Sequence, residues 1–194
     1  MSNIPESKRA AILYAALELF AESGFHSAPM SRLASLADVG VGSIYRYFAD
    51  KDELIHAVYE QVDDALQRDI IKSLDSTLSP RSQFIQLVAN LIYYLKAHSR
   101  EFKFLEQYYN SPYGIEKKRV KFSPEAFVDQ SNPIVSFYAN NVDGALKGML
   151  FQLYLALTFG PIILLVRDSL SGLVVLDEAL IQQTSEACWS AIKA

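Results

Sequence analysis

Apolar side chains recur at intervals of three and four along most of this chain, as in helices that bury one face. No stretch alternates apolar and polar residues in the manner of a half-buried strand, and no Asn-Gly hairpin signal occurs. The first helix is predicted from about Glu6 to Ser23, with Ile12, Ala16, Leu19 and Phe20 on one face. Gly24 ends it in a left-handed conformation, and Phe25 folds back onto the last turn as a Schellman-type stop requires. Pro29 suits the first turn of a short second helix, Met30 to about Ala37. Val39-Gly40-Val41-Gly42 breaks that helix, and a third begins near Gly42 or Ser43 and carries Ile44, Tyr45, Tyr47 and Phe48. Asp50 with Glu53 three residues on reads as a capping box that opens a fourth helix, running to about Leu74. Beyond the breaker Leu78-Ser79-Pro80, helices are predicted near 81–98, 100–110, 124–140, 143–168 and 174–192. Ser111 to Ser123, holding Pro112 and Gly114, reads as a loop. The chain is expected to be all-α, with about nine helices.

Composition narrows the picture. The 194 residues are 51% hydrophobic, ample for a packed core, and 18 Lys+Arg stand against 22 Asp+Glu for a net charge of -4. Global positive charge is therefore not available to grip nucleic acid, and any DNA site has to be local. Residues 1–51 are balanced, with Lys8, Arg9, Arg32, Arg46 and Lys51 against Glu6, Glu18, Glu22, Asp38 and Asp50, so the acidic excess falls in the remainder. The single cysteine, Cys188, forms no intrachain disulfide, and the opening residues lack the apolar run of a secretory signal, so a cytoplasmic location is expected. Gly148 to Val166 is 19 residues without a charge, long enough to cross a bilayer. Pro161, Gln152 and Thr158 interrupt it and no second such segment exists, so a subunit interface or domain centre is the favoured reading and no membrane is expected.

The pattern Leu33-Ala34-x-x-Ala37-x-Val39-x-x-Gly42-x-Ile44-Tyr45-x-Tyr47-Phe48 fits a helix-turn-helix. Leu33, Ala34, Ala37, Val39, Ile44 and Phe48 supply a small interior, and the two alanines let the helix backbones come close. That leaves Gly42, Ser43, Tyr45, Arg46 and Tyr47 around the start and outer side of the third helix, where such motifs meet base edges and phosphates. Gly42 permits close approach, the hydroxyls of Ser43, Tyr45 and Tyr47 can donate to phosphate, Val41 can touch a thymine methyl, and Arg46 and Lys51 can neutralise phosphates. The competing reading makes the tyrosines core aromatics of a small bundle. The inward pairing of Ile44 with Phe48 argues against that for Tyr47 and leaves Tyr45 open, while Lys51 equally suits a solvated first turn. Lys117-Lys118-Arg119 reads as a solvated run in a loop.

The stretch Ala15-Ala16-x-x-Leu19-Phe20-x-x-x-Gly24-Phe25, followed by Gly42-x-x-Tyr45-x-Tyr47-Phe48-x-x-Lys51-x-x-Leu54, resembles the DNA-binding domain of the TetR family of transcriptional regulators. The resemblance implies a three-helix DNA-binding domain over residues 1–50 and a larger helical ligand-binding and dimerisation domain over 51–194, of which 51–74 is the connecting helix. It also implies a homodimer reading two half-sites of a pseudo-palindromic operator in double-stranded DNA, and a small-molecule inducer that releases it. The family's contacts, carried over by position, add Ser31 and its neighbour Arg32 to Val41, Gly42, Ser43, Tyr45, Arg46, Tyr47 and Lys51. Two departures stand out: Pro29-Met30 where many members open the second helix with threonine, and Ala37-Asp38-Val39-Gly40 where Ala-Gly-Val-Ser is common.

The remainder of the chain is rich in aromatics, which build either core or pocket wall. An apolar or aromatic ligand is expected among the middle helices, against Leu91, Phe102, Leu105, Tyr108, Phe127 and Phe151, with Gln107, Asn110 and Gln152 as polar handles. The last two helices are expected to pair with their symmetry mates in a four-helix dimer interface, which would bury the uncharged run. Pro161 is expected to kink its helix, and Cys188, between Ala187 and Trp189, to be a buried structural thiol. An enzyme finds little support: His26, His56 and His98 lack metal-ligand spacing, there is no glycine-rich phosphate loop, and no nucleophile has an evident base. No catalytic residue, metal or cofactor is predicted. A purely helical interaction module would leave the Val39–Gly42 turn and the outward tyrosines without a role.

Overall fold

The computed structural model describes residues 7–121 and 132–193, and every regular element among them is a helix. In order these are α1 (Lys8–Ser23), α2 (Met30–Leu36), α3 (Val41–Tyr47), α4 (Lys51–Lys72), α5 (Pro80–Ala97), α6 (Ser99–Tyr109), α7 (Pro112–Lys121), α8 (Pro133–Asn141), α9 (Phe151–Leu170) and α10 (Glu178–Ile192). The fold is all-α as expected, with ten helices among the described residues where about nine were predicted. The addition is α7, in the segment read as a loop. Pro112 occupies its first turn, where the missing N–H costs nothing. Gly114 is there because a Cβ would collide with the Tyr108 carbonyl and come within 2.8 Å of its carbon. Arg119 and its basic neighbours thus belong to a helix. The predicted helix at 124–140 falls partly outside the described residues, and its described portion is α8. The first residues of the predicted 143–168 helix form turns instead, with Lys147 and Gly148 both at positive φ (44° and 69°), so α9 starts only at Phe151. It then continues through Pro161.

The chain divides into two compact units, Met1–Ala65 with Arg100–Lys117, and Leu66–Ser99 with Lys118–Ala194. The start of α4 and all but the first residue of α6 pack with the N-terminal helices.

In the first unit, Ser7 caps α1 by accepting from the Ala10 N–H, and Ile12, Ala16, Leu19 and Phe20 are buried to the last few per cent. Gly24 stops α1, but not as a Schellman cap: its φ of 76° pairs with a ψ of 166°, an extended left-handed region open in practice only to glycine. Phe25 does fold back, meeting Phe20 edge-on at 5.6 Å. From α6, Phe104 packs on Phe25 at 5.6 Å, Tyr108 stacks on Tyr59 of α4 at 4.2 Å, and Gln107 donates to the Ala21 carbonyl. In the second unit α5, α8, α9 and α10 surround an aromatic core of Phe84, Phe137, Tyr138, Phe151, Tyr154 and Trp189. Side-chain caps set the starts of three of them, Ser79 for α5, Asn132 for α8 and Asp177 for α10, while α9 has none.

Candidate nucleic-acid interface

The turn between α2 and α3 is made differently from its sequence reading. The residue at positive φ is Asp38 (51°), an uncommon but tolerated conformation for aspartate. Gly40 is the extended N-cap of α3, and Gly42 lies inside its first turn. The Val39 N–H reaches back to the Ala34 carbonyl at 3.0 Å, closing the turn. Leu33, Ala34, Ile44 and Phe48 are buried between α1, α2 and α3, which fixes the angle of α3. Arg9 lies over the outer side of the Phe48 ring, 5.3 Å from its centroid.

That packing leaves one side of α3 open to solvent. Val41, Gly42, Tyr45, Arg46 and Tyr47 are exposed, Tyr45 at 49% and Tyr47 at 40%, so neither tyrosine is core. Ser43 is half-buried, and Ser31 and Arg32 are exposed on α2. A Cβ at Gly42 or Gly40 would meet nothing within 4 Å, and neither backbone needs glycine. The fold therefore supplies no internal reason for either residue.

Lys51 stands apart from the other predicted contacts. It is half-buried at the start of α4, its Nζ donates to the Ala28 carbonyl at 2.7 Å, and it lies 5.9 Å from the Phe20 ring centroid. Burial lowers its pKa from the ordinary lysine value, against the opposing pull of Asp52. It thus ties the α1–α2 connection to α4, with two ammonium protons left for another acceptor. The capping box beside it is shifted by one residue: Asp50 accepts from the Glu53 N–H at 2.7 Å, while Glu53 accepts from Ala49, not Asp50.

The residues expected to line a ligand pocket are all buried where described, and they are divided between the two units. Phe102, Leu105 and Tyr108 lie in the first unit, Leu91 and Phe151 in the second, and Phe127 falls outside the described residues. Of the predicted handles, Gln107 and Asn110 are engaged with backbone carbonyls and Gln152 is exposed. Two hydroxyls not singled out as handles stand out instead. Tyr154 and Thr158, buried one turn apart on α9, have no hydrogen-bond partner among the described residues. The second unit also carries an open groove of about 240 Å³ beside Asp69, Tyr93 and His98. Cys188 is buried, and burial pushes its thiol up. Among the described residues no group of His, Cys, Asp and Glu could hold a metal ion.

Residues 12–58 match the family model of the bacterial regulatory proteins of the tetR family, and residues 80–193 match a tetracyclin repressor-like C-terminal domain, which alone spans more than half of the chain. The chain belongs to the TetR family. It is 32% identical over 75 residues to the HTH-type transcriptional regulator HbdR of Aromatoleum sp. (strain CIB), covering 39% of this chain and 33% of that one. It is also 32% identical over 94 residues to an uncharacterised HTH-type transcriptional regulator of Haemophilus influenzae, covering 48% and 50%. The chain thus spans a third to a half of these relatives' length. Across nearly the whole chain the fold resembles that of a TetR-family protein of Vibrio parahaemolyticus (TM-score 0.76, 27% identity, 97% and 100% covered). A regulator of Shewanella sp. PV-4 shares the fold alike (TM-score 0.80, 22% identity, 97% and 100% covered). Within this TetR-family chain α2 and α3 lie inside the matched N-terminal region and are the two helices of its helix-turn-helix.

Proposed function

We propose that the protein is a cytoplasmic, homodimeric transcriptional repressor that binds a pseudo-palindromic operator in double-stranded DNA through α3 and is released by a small apolar or aromatic inducer. The observation that carries this reading is the outer side of α3. A buried interior fixes the helix, yet its outward residues are a valine, a glycine without a structural role, two tyrosines and an arginine. Glycine in a helix costs about 0.5–1 kcal/mol relative to alanine. A surface pressed against a sugar-phosphate backbone supplies the reason to keep it. Tyr45, Tyr47, Ser43 and Ser31 would donate to phosphates, Arg32, Arg46 and the remaining Lys51 protons would supply charge, and Val41 would meet a base methyl.

Dimerisation is supported by α9 and α10, which pack on each other within the second unit. Leu153, Ala156, Gly160, Pro161 and Leu164 form one exposed uncharged stripe on α9, and Gln183, Ala187 and Ser190 form another on α10. Of the described helices α9 is the one long and apolar enough to cross a membrane, but burial against a second copy removes that surface from water equally well. Ligand responsiveness would be housed in the aromatic core of the second unit, with Leu91 and Phe151 as its walls.

The deciding experiment is retention of the purified protein on the DNA flanking its own gene. Salt-sensitive preference over scrambled DNA is expected, and equal retention would remove the reading. Tyr47→Ala should weaken that preference without altering the dimer or the thermal midpoint.

A further inference from the structure

Among the described residues, most buried polar side chains of the second unit are used within it. Thr184 and Ser185 on α10 each return to the carbonyl four residues back, at 2.7 and 2.9 Å. Asn132 caps α8, and the Tyr138 hydroxyl donates to the Met149 carbonyl at 2.5 Å. Thr158 sits in a helix with the same option, the carbonyl of Tyr154, and does not take it; the Tyr154 hydroxyl, one turn away, is likewise without a partner among the described residues. A buried hydroxyl left unpaired costs about 1–3 kcal/mol. Two of them on adjacent turns of one helix face mark a place where polarity is kept against the stability of the core. The open groove beside Tyr93 is a weaker candidate, since Asn90 and Ser73 on its wall already bond each other at 2.8 Å.

The rings around Tyr154 belong to Phe84, Phe137, Tyr138 and Phe151, at centroid distances of 5.4–6.4 Å, and none carries a charge. A carboxylate or an ammonium brought here would lose its hydration with no counter-ion in return. A carbonyl oxygen loses less, because each of these hydroxyls has a proton to give and no partner among the described residues. Burial pushes the Tyr154 phenol well above its ordinary value, so it remains a donor throughout the physiological range.

We propose that Tyr154 and Thr158 are the polar end of the inducer site, and that the inducer is an uncharged aromatic molecule whose carbonyl oxygen accepts from both hydroxyls. Aryl ketones, esters and amides have this chemistry; aromatic acids and plain hydrocarbons do not. The proposal rests on the ligand-responsive reading above and narrows it to one ligand class and two residues.

The test uses the full-length protein and its single tryptophan, Trp189, whose ring lies 5.7 Å from Phe84. Acetophenone, ethylbenzene and benzoate are titrated while tryptophan fluorescence is followed. Acetophenone should give a saturable change at concentrations at least about tenfold lower than either of the others. In the double variant Tyr154→Phe, Thr158→Val, checked for folding by circular dichroism, acetophenone and ethylbenzene should become about equal; if that variant does not fold, Tyr154→Phe alone is read. Equal binding of the three probes by the wild type, no saturable response to acetophenone, or an undiminished preference in the variant would each overturn the site. Operator retention measured on the same samples separates the two readings. Acetophenone selectivity without DNA preference keeps the site and removes the regulator, and the reverse removes the site alone.

Discussion

The two units build aromatic cores from the same residue types and differ at one buried tyrosine hydroxyl, that of Tyr154. In the first unit the Tyr59 and Tyr109 hydroxyls meet at 3.1 Å, Tyr108 shares a hydrogen bond with His56 Nδ1 at 3.0 Å, and Tyr113 donates to the Asp52 carboxylate at 2.6 Å. Lys117 pairs with Glu60 and lies over the Tyr59 ring. In the second unit Tyr154 is more deeply buried than any of these except Tyr59 and Tyr108, which it equals, and its hydroxyl meets nothing described. A platform that must hold α3 at one angle gains from closing every polar contact. A core that admits a guest, as proposed for the second unit, would gain from leaving one open, although both cores read as aromatic-rich helix.

Truncations at the two cores should bring out this contrast most strongly. Phe104→Ala removes a fully buried ring from between Phe25 and Tyr108 and should cost about 3–5 kcal/mol in denaturant unfolding followed by circular dichroism. Removing single oxygens sharpens the comparison. Tyr59→Phe should cost about 1 kcal/mol, whereas Tyr154→Phe should leave the unfolding midpoint unchanged or raise it. Equal losses at both would mean that the second core is as fully paired as the first. Gly42→Ala should stabilise the fold by about 0.5–1 kcal/mol while weakening operator retention, a pairing of signs that a purely structural glycine would not show.

The smallest effect is on alkaline stability. The Tyr113 hydroxyl is pushed up to about 12, chiefly by its hydrogen bond to Asp52 and then by burial, from an ordinary value near 10. The folded state therefore keeps a proton that the unfolded state releases between those values, so the contribution is complete below pH 10 and fades as pH rises towards 12. Thermal midpoints should fall across that interval, and Tyr113→Phe should flatten part of the fall.

Most helix positions were legible because each depends on local information. Ser79 before Pro80, Asp50 before Glu53 and the spacing of Ile12, Ala16 and Leu19 place their helices to within a residue or two. The α2–α3 motif was legible for the same reason, and the outward facing of Tyr45, open in the sequence, followed once Ile44 and Phe48 were seen to be buried. Helix α7 was not legible, because Gly114 answers to the Tyr108 backbone, a tertiary contact that looks like a loop signal in one dimension. The division into units was the least legible. Phe102, Leu105 and Tyr108 have the same periodicity as Leu91 and Phe151, and periodicity does not say that α6 packs with the first unit while α5 and α9 build the second. Nor does it distinguish the Thr158 hydroxyl from that of Thr184, since the difference is one hydrogen bond.

Gly24 has a consequence for variation in this protein. Its backbone, at φ 76° and ψ 166°, is closed to every side chain whatever the space around it. In a library of all substitutions, position 24 should lose every alternative when cells are selected only for soluble protein. Position 42 should accept most alternatives under that selection, and lose them only when survival is made to depend on operator binding.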